Sequence, residues 1–442
     1  MIGAGAAGIF AALAARGAFA SSASSSPPSV VLLDSKESPG KKILVSGGGR
    51  CNVTNVSVTD RDFDTDAPAV VRGVLANYPV PKVRAFFEER GVVLVEEPIG
   101  KLFPREGGAK GVLAALFRAL DEAGVVRSFG AEIFEVERDG DGWKVGEVRA
   151  RRVIVATGGR SIPQTGSTGF GYGLARSVGH EVVEPVPALT PLRGRTPHDL
   201  AGVTVPAILT VEDHDGRVLR RAVGSLLFTH GGVSGPAALD ASVAVAHAVE
   251  EERPFRVRAD FWSPADPAGP FGPYLGQPKL PGSCMAESPV PTDARTVERF
   301  LLASEQRELL GTVLGRRLPR RLVEALAPAW RTPLGRLVRE DRRIAAESVS
   351  GLDLGITGVL GFEKAEVTAG GVPLRELDRR TLESRRAPGL FFCGEVCHAT
   401  GRLGGFNFQW AWSSGFAAGR GAGESSPPDQ RPLRSGGPPQ PG

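Results

Sequence analysis

The chain opens with Gly3-Ala4-Gly5-Ala6-Ala7-Gly8, two residues after its first methionine, and this run constrains the fold more than anything that follows it. A Gly-x-Gly-x-x-Gly turn allows a sharp bend at Gly3, close approach of a pyrophosphate to the backbone at Gly5, and tight helix–strand packing at Gly8. Ile9 to Ala18 continue as a small-residue helix whose N-terminus, with Ala6 and Ala7 in the turn before it, would face the anion. Val30 to Leu33 reads as the next strand and ends in Asp34, followed by Ser35, where a carboxylate accepts the hydroxyls of an adenosine ribose. Asp34 falls later than the usual spacing of about 20 residues because the low-complexity stretch AFASSASSSPPS, residues 18 to 29, intervenes and reads as a flexible excursion. The strand expected before Gly3 is reduced to Ile2, which reads as a late or unusual start with no leader in view. Two blander readings stand beside this one: such glycines also serve helix packing alone, and a strand-end acid is often only solvated.

Composition removes several classes. At 442 residues the chain fits one large domain with an insertion as well as about three average ones. Its 58 glycines and 35 prolines make it loop-rich. Four cysteines, Cys51, Cys284, Cys393 and Cys397, form neither a disulfide scaffold nor a CxxC pair for zinc, so no metal is expected and a reducing compartment is the default. No apolar run approaches the roughly 18 residues of a membrane span, and no membrane partner is expected. Lys plus Arg is 53 against 49 for Asp plus Glu, a net +4 without a basic tail, so nucleic acid is not an expected partner either.

Further glycine-rich clusters recur along the chain. Lys42, then Ser46-Gly47-Gly48-Gly49-Arg50-Cys51-Asn52, brings three successive glycines and a cation suited to phosphates or to a flavin edge, where Arg50 would oppose the negative charge of the reduced ring. A glycine turn over a buried Cys51 competes with that reading. Val153 to Ala156 reads as a buried strand running into Thr157-Gly158-Gly159. Leu390 to Cys393 leads into Gly394-Glu395, and Gly404-Gly405 opens a helix containing Asn407, a helix end that would aim partial positive charge at a flavin's pyrimidine end. From about Pro191 the texture becomes strand-rich (to 262) and then helical (290 to 345), which reads as an insertion into a dinucleotide-binding domain built from 1 to 190 and 346 to 420. Residues 421 to 442 read as a disordered Pro/Ser/Gly tail.

These residues and the strings around them, SGGGRCNVTN (Ser46 to Asn55), KLFP (Lys101 to Pro104), PQTGSTGFGY (Pro163 to Tyr172), PALTPL (Pro187 to Leu192), LLFTHGGVSGPAAL (Leu226 to Leu239), TAGGV (Thr368 to Val372) and GGFNFQWAWSSG (Gly404 to Gly415), run in order through the chain. In them the chain resembles the YhiN/BaiN-type flavoproteins, sometimes labelled aminoacetone oxidase-like, of the glutathione-reductase-like two-dinucleotide-binding class. The resemblance implies non-covalent FAD, a discontinuous Rossmann-like α/β domain with a strand-rich and helical insertion, and an oxidoreductase of poorly defined substrate. Reduction of enone double bonds in steroid-like molecules is one activity attributed to a member. The chain departs from the family in its missing first strand, in the excursion before Asp34, and in Cys397-His398-Ala-Thr400, which stands where an acidic segment is expected.

The leading expectation is hydride transfer between FAD and a small organic substrate, an enone or an amine. No second Gly-x-Gly-x-x-Gly follows a strand, so NAD(P)H would serve only as a transient reductant. His230 as a proton donor, Cys51 as a thiol and Tyr172 as a pocket residue are catalytic candidates, each balanced by a structural role. The alternatives are an RNA-binding flavoprotein related to flavin-dependent tRNA-modifying enzymes, with Arg316 to Arg321 as its basic cluster, and a thiol–disulfide oxidoreductase using Cys51 or Cys393 with Cys397. The cytoplasm is the default location, with an organelle such as the plastid if the start is late.

Overall fold

The computed structural model describes residues 1–19, 27–130, 135–195, 200–263 and 291–424. The Ser-rich excursion, Cys284 and residues 425–442 of the expected tail lie mainly or wholly outside them.

Ile2 settles how the Gly3 turn is supported. It forms parallel bridges to Leu33 on one side and Val155 on the other, so a single residue occupies the place of a central strand. Its amide donates to Ile154 O at 2.9 Å, and the Gly3 amide to Leu33 O at 2.8 Å. The parallel sheet therefore runs Val126–Phe129, Val31–Asp34, Ile2, Val153–Val155, Leu390–Phe392. Strands buried on both faces read as continuous apolar runs, as Val153–Val155 and Leu390–Phe392 do.

Helix Ala6–Ala15 starts directly from the turn, and the C-terminal helix Phe406–Glu424 packs along it. The contact is backbone-close. A Cβ on Gly415 would stand 2.4 Å from Ala7 O, and one on Gly419 2.2 Å from Ala11 O, so only glycine permits this approach. The last helix extends through Glu424, so residues 421–424 of the expected tail are ordered helix.

The inserted unit is a seven-stranded antiparallel sheet covered by helix Pro236–Glu250 and joined by helices Ala294–Ala303, Leu310–Gly315, Arg320–Leu326 and Arg339–Ser350. It does not end at 345. Ala345, Ala346 and Val349 bury in the same core, and strands Leu352–Asp353 and Ile356–Val359 extend the inserted sheet, so the first unit resumes only after 359. Two antiparallel strands, Val183–Ala188 and Val367–Gly371, carry the chain out and back.

Candidate functional site

A cavity of about 710 Å³ runs from the Gly3 turn to the crossing strands between the two units. At the first end it is lined by Gly3, Gly5, Ala6 and Ala7, with Asp34 and Ser35 beside them. The fit to a dinucleotide is steric. A Cβ on Gly8 would lie 1.8 Å from Gly3 O, so helix and turn can meet only through glycine, whereas the Cβ direction of Gly5 points into open space. This is the cradle that a pyrophosphate requires; a bound FAD would set its phosphates at Gly5, Ala6 and Ala7 and its ribose toward Asp34. Asp34 also braces the turn: its Oδ2 accepts from Ala4 N at 2.7 Å and its Oδ1 from Lys36 N at 2.8 Å.

Ser46, Gly47, Gly48, Arg50 and Asn52 line the middle of the cavity. Gly47, Gly48 and Gly49 take φ of 55°, 68° and 85°, a left-handed run that explains the triple glycine. Gly49 and Cys51 fall outside the lining. Arg50 is turned toward protein: its Nη1 donates to Glu97 Oε1 at 2.7 Å, and its guanidinium lies 4.2 Å from the Phe103 ring centroid. Arg50 therefore lines the cavity while its guanidinium pairs with Glu97. Oriented to satisfy its hydrogen bonds, the Asn52 carboxamide accepts from Gly405 N at 3.0 Å and donates to Thr54 O at 2.9 Å, fixing the second glycine turn.

Thr157 and Gly158 line the cavity, while Gly159 sits behind it, where a Cβ would meet Thr368 Oγ1 at 2.3 Å. Gly394, Glu395, Gly404, Gly405 and Asn407 line the far side. Glu395 is held by Lys42 Nζ at 2.5 Å, Ser161 Oγ at 2.9 Å and Thr368 N at 2.9 Å. Asn407 closes on Gly401, accepting from its N at 2.9 Å and donating to its O at 2.8 Å. Glu395 and Asn407 thus shape the wall through protein contacts.

The proposed catalytic trio does not assemble. His230 is exposed in the turn between strands Val218–Thr229 and Gly232–Ser234, outside the cavity lining, because that hairpin needs its polar tip in water. Cys51 is fully buried, and burial pushes its thiol up to about 12, so no thiolate is available. Tyr172 is buried, with its hydroxyl 3.5 Å from Glu395 O, and burial first, then Glu395, pushes it well above the usual phenol range. Cys393 and Cys397 are buried free thiols, both pushed up by burial, so they do not support thiol–disulfide chemistry.

The cavity does bring in residues the sequence did not single out. Lys101 and Glu366 line the end next to Leu189 and Leu403. Lys101 was visible in KLFP, and a lysine in a chain whose cations are mostly arginine is a signal that could have marked it. Glu366, just before the TAGGV string, carries no comparable signal.

Fold and cavity define an FAD-dependent oxidoreductase built on a Rossmann-type sheet. The chain belongs to the family described as HI0933-like protein Rossmann domain, whose model matches residues 1–421. It is 33% identical over 430 residues to a ribosomal RNA dihydrouridine synthase of Escherichia coli strain K12, covering 94% of this chain and 96% of that protein. It is 32% identical over 430 residues to a 3-dehydro-bile acid delta(4,6)-reductase of Clostridium scindens, covering 96% and 98%. Among solved structures, 3-ketosteroid delta1-dehydrogenase of Sterolibacterium denitrificans aligns with a TM-score of 0.45 at 13% identity, covering 95% of this chain and 97% of that one.

Proposed function

We propose that the chain reduces a carbon–carbon double bond conjugated to a carbonyl group in a small organic molecule. The observation that carries the reading is the composition of the cavity end: a lysine with no ion pair among the described residues and a carboxyl group share one apolar-walled space at the junction of the two units. The names of the two relatives agree with it, since saturating uridine and saturating a delta(4,6) steroid ketone both reduce a double bond conjugated to a carbonyl. Bound reduced FAD supplies hydride. The chain holds the dinucleotide along Gly3 to Ala7 and Asp34 and braces the glycine turns through Asn52 and Asn407.

A second reading, uridine within RNA, is favoured by the E. coli relative and by a similarly named protein of Haemophilus influenzae. The basic cluster argues for the small molecule. Arg316 pairs with Glu308, Arg320 with Glu324, and Arg317 stacks on Trp262 and Phe300, so these cations are engaged within the inserted unit.

Holoprotein reduced anaerobically with NADH or NADPH, then mixed with cyclohexenone or with a uridine-containing structured RNA, tests both. Reoxidation of the flavin with cyclohexenone, and a product heavier by two hydrogens, supports the leading reading. Reoxidation by RNA alone selects the second, and reoxidation by neither removes conjugated-carbonyl reduction.

A further inference from the structure

Three ionisable side chains from three separate parts of the chain come near one another at the cavity end beside the crossing strands. Lys101 begins strand Lys101–Pro104, and a Cβ on Gly404 would stand 3.7 Å from its Cε, so its side chain lies over the glycine turn that opens the last helix. Glu366 precedes the returning strand Val367–Gly371, and its amide donates to Leu189 O at 3.2 Å on the outgoing segment. Asp240, in helix Pro236–Glu250, accepts from Leu403 N at 2.6 Å and stands behind the cavity wall. Lys101 and Glu366 face the cavity itself.

Lys101 forms no ion pair or hydrogen bond through its side chain with any described residue, although two carboxyls lie near enough to feel its charge. Burial raises Glu366 above the usual carboxylate range, with Asp240 adding to the rise and Lys101 and Lys42 opposing it. Burial likewise raises Asp240 against the Leu403 amide, Arg220, Arg402 and Lys101. Burial thus works against ionisation of both carboxyls, and the Lys101 ammonium group is left facing the cavity without a described partner.

We propose that Lys101 and Glu366 form the substrate end of the cavity, Lys101 holding the carbonyl oxygen of a conjugated carbonyl compound and Glu366 delivering a proton to the carbon next to that carbonyl. The inference rests on the reaction assigned above. Hydride, two electrons and one hydrogen, adds to the β-carbon, the carbon–carbon π bond breaks, and its electron pair moves through the α-carbon onto the carbonyl oxygen beside Lys101. The carbonyl then re-forms as the Glu366 O–H bond breaks and its proton makes the new α-carbon–hydrogen bond. The substrate has gained two hydrogens, Glu366 recovers its proton from solvent, and the two electrons would come from bound reduced FAD, in turn reduced by a pyridine nucleotide.

The ground-state probe is para-nitrophenol, whose phenolate mimics the developing oxyanion and absorbs visibly. Oxidised wild-type holoprotein should bind it as phenolate at a pH where the free phenol is mostly neutral. Lys101→Met should weaken that binding at least about tenfold and remove the phenolate band, the loss expected when a charged partner of an oxyanion is deleted. Glu366→Gln should still bind phenolate, which shows the site intact, yet reoxidise with cyclohexenone roughly 10²- to 10⁴-fold more slowly, the range of a lost general acid. Wild-type reoxidation should fall as pH rises through the raised Glu366 ionisation, and Glu366→Asp should recover part of the rate lost in Glu366→Gln. Phenolate bound equally by Lys101→Met, or an undiminished rate in Glu366→Gln, overturns the pair while leaving the reaction in place. A wild type that reduces no conjugated carbonyl overturns the reaction and the pair together, even if phenolate binds.

Discussion

Arg50 shows how a single side chain's environment decides between two roles that its position in the chain leaves open. Beside a triple glycine it reads as a flavin partner, but its guanidinium is engaged by the carboxylate of Glu97 and the face of Phe103. Arg50→Ala should therefore leave the two-electron potential of bound FAD almost unchanged, well below the roughly 30 mV that about 1.4 kcal/mol represents. It should lower stability by no more than about 1 kcal/mol, as expected for an exposed pair. A spectroelectrochemical titration showing a larger drop would return Arg50 to the ring. Asp34 runs the other way: beyond any ribose contact it receives the amides of Ala4 and Lys36. Asp34→Ala should weaken FAD binding by roughly 1.5–3 kcal/mol, the scale of charge-assisted hydrogen bonds, and should also lower the melting temperature of the FAD-free protein. Weakened binding with an unchanged apo melting temperature would limit Asp34 to the ribose.

Among the elements, the pairing of helices Ala6–Ala15 and Phe406–Glu424 sets the position of the pyrophosphate turn, because the first helix begins at that turn and is buried along nearly all its length. Gly419→Ala would drive a methyl group against Ala11 O, at a cost of roughly 1–3 kcal/mol for overpacking. The expected outcome is a lower melting temperature with reduced FAD retention, because the helix N-terminus shifts. An undisturbed melt and full retention would show that the helices slide apart at no cost. The first glycine turn, the strands at Val31 and Val153 and the return at Leu390 were legible in sequence because local pattern dictates them. The pairing of residues 7 and 11 with 415 and 419 was not, since nothing local records which helix a glycine faces. The same limit explains His230 and Glu366: a histidine in a distinctive string turned out to cap a hairpin, and an acid in ordinary surroundings turned out to face the cavity. The insertion's late end has a related cause, for the short strands Leu352–Asp353 and Ile356–Val359 carry too few residues to show an alternating pattern.

At the scale of the whole molecule, the cavity lies in the first unit and reaches the strands that cross to the inserted one. The inserted sheet is tied to the first unit by the crossing strands, by Leu403 N donating to Asp240, and by His247 facing Asp64 at 3.3 Å. The cavity beside this junction, about 710 Å³, has the size of a cofactor-binding site. The sequence carries one dinucleotide fingerprint, at Gly3 to Gly8, and FAD fits it. A reductant and an oxidant that both used this one cavity would exclude each other. Steady-state rates measured with a reduced pyridine nucleotide and cyclohexenone should accordingly follow ping-pong kinetics, with parallel double-reciprocal lines. High concentrations of either ligand should inhibit competitively against the other. Lines converging to the left of the axis would mean that both ligands bind at once, which requires a separate nucleotide site elsewhere on the chain. Lys101→Met supplies the internal check. If the substrate end is shared, the substitution should raise KM for the carbonyl substrate and relieve its inhibition of flavin reduction to the same degree, since both effects measure occupancy of one place.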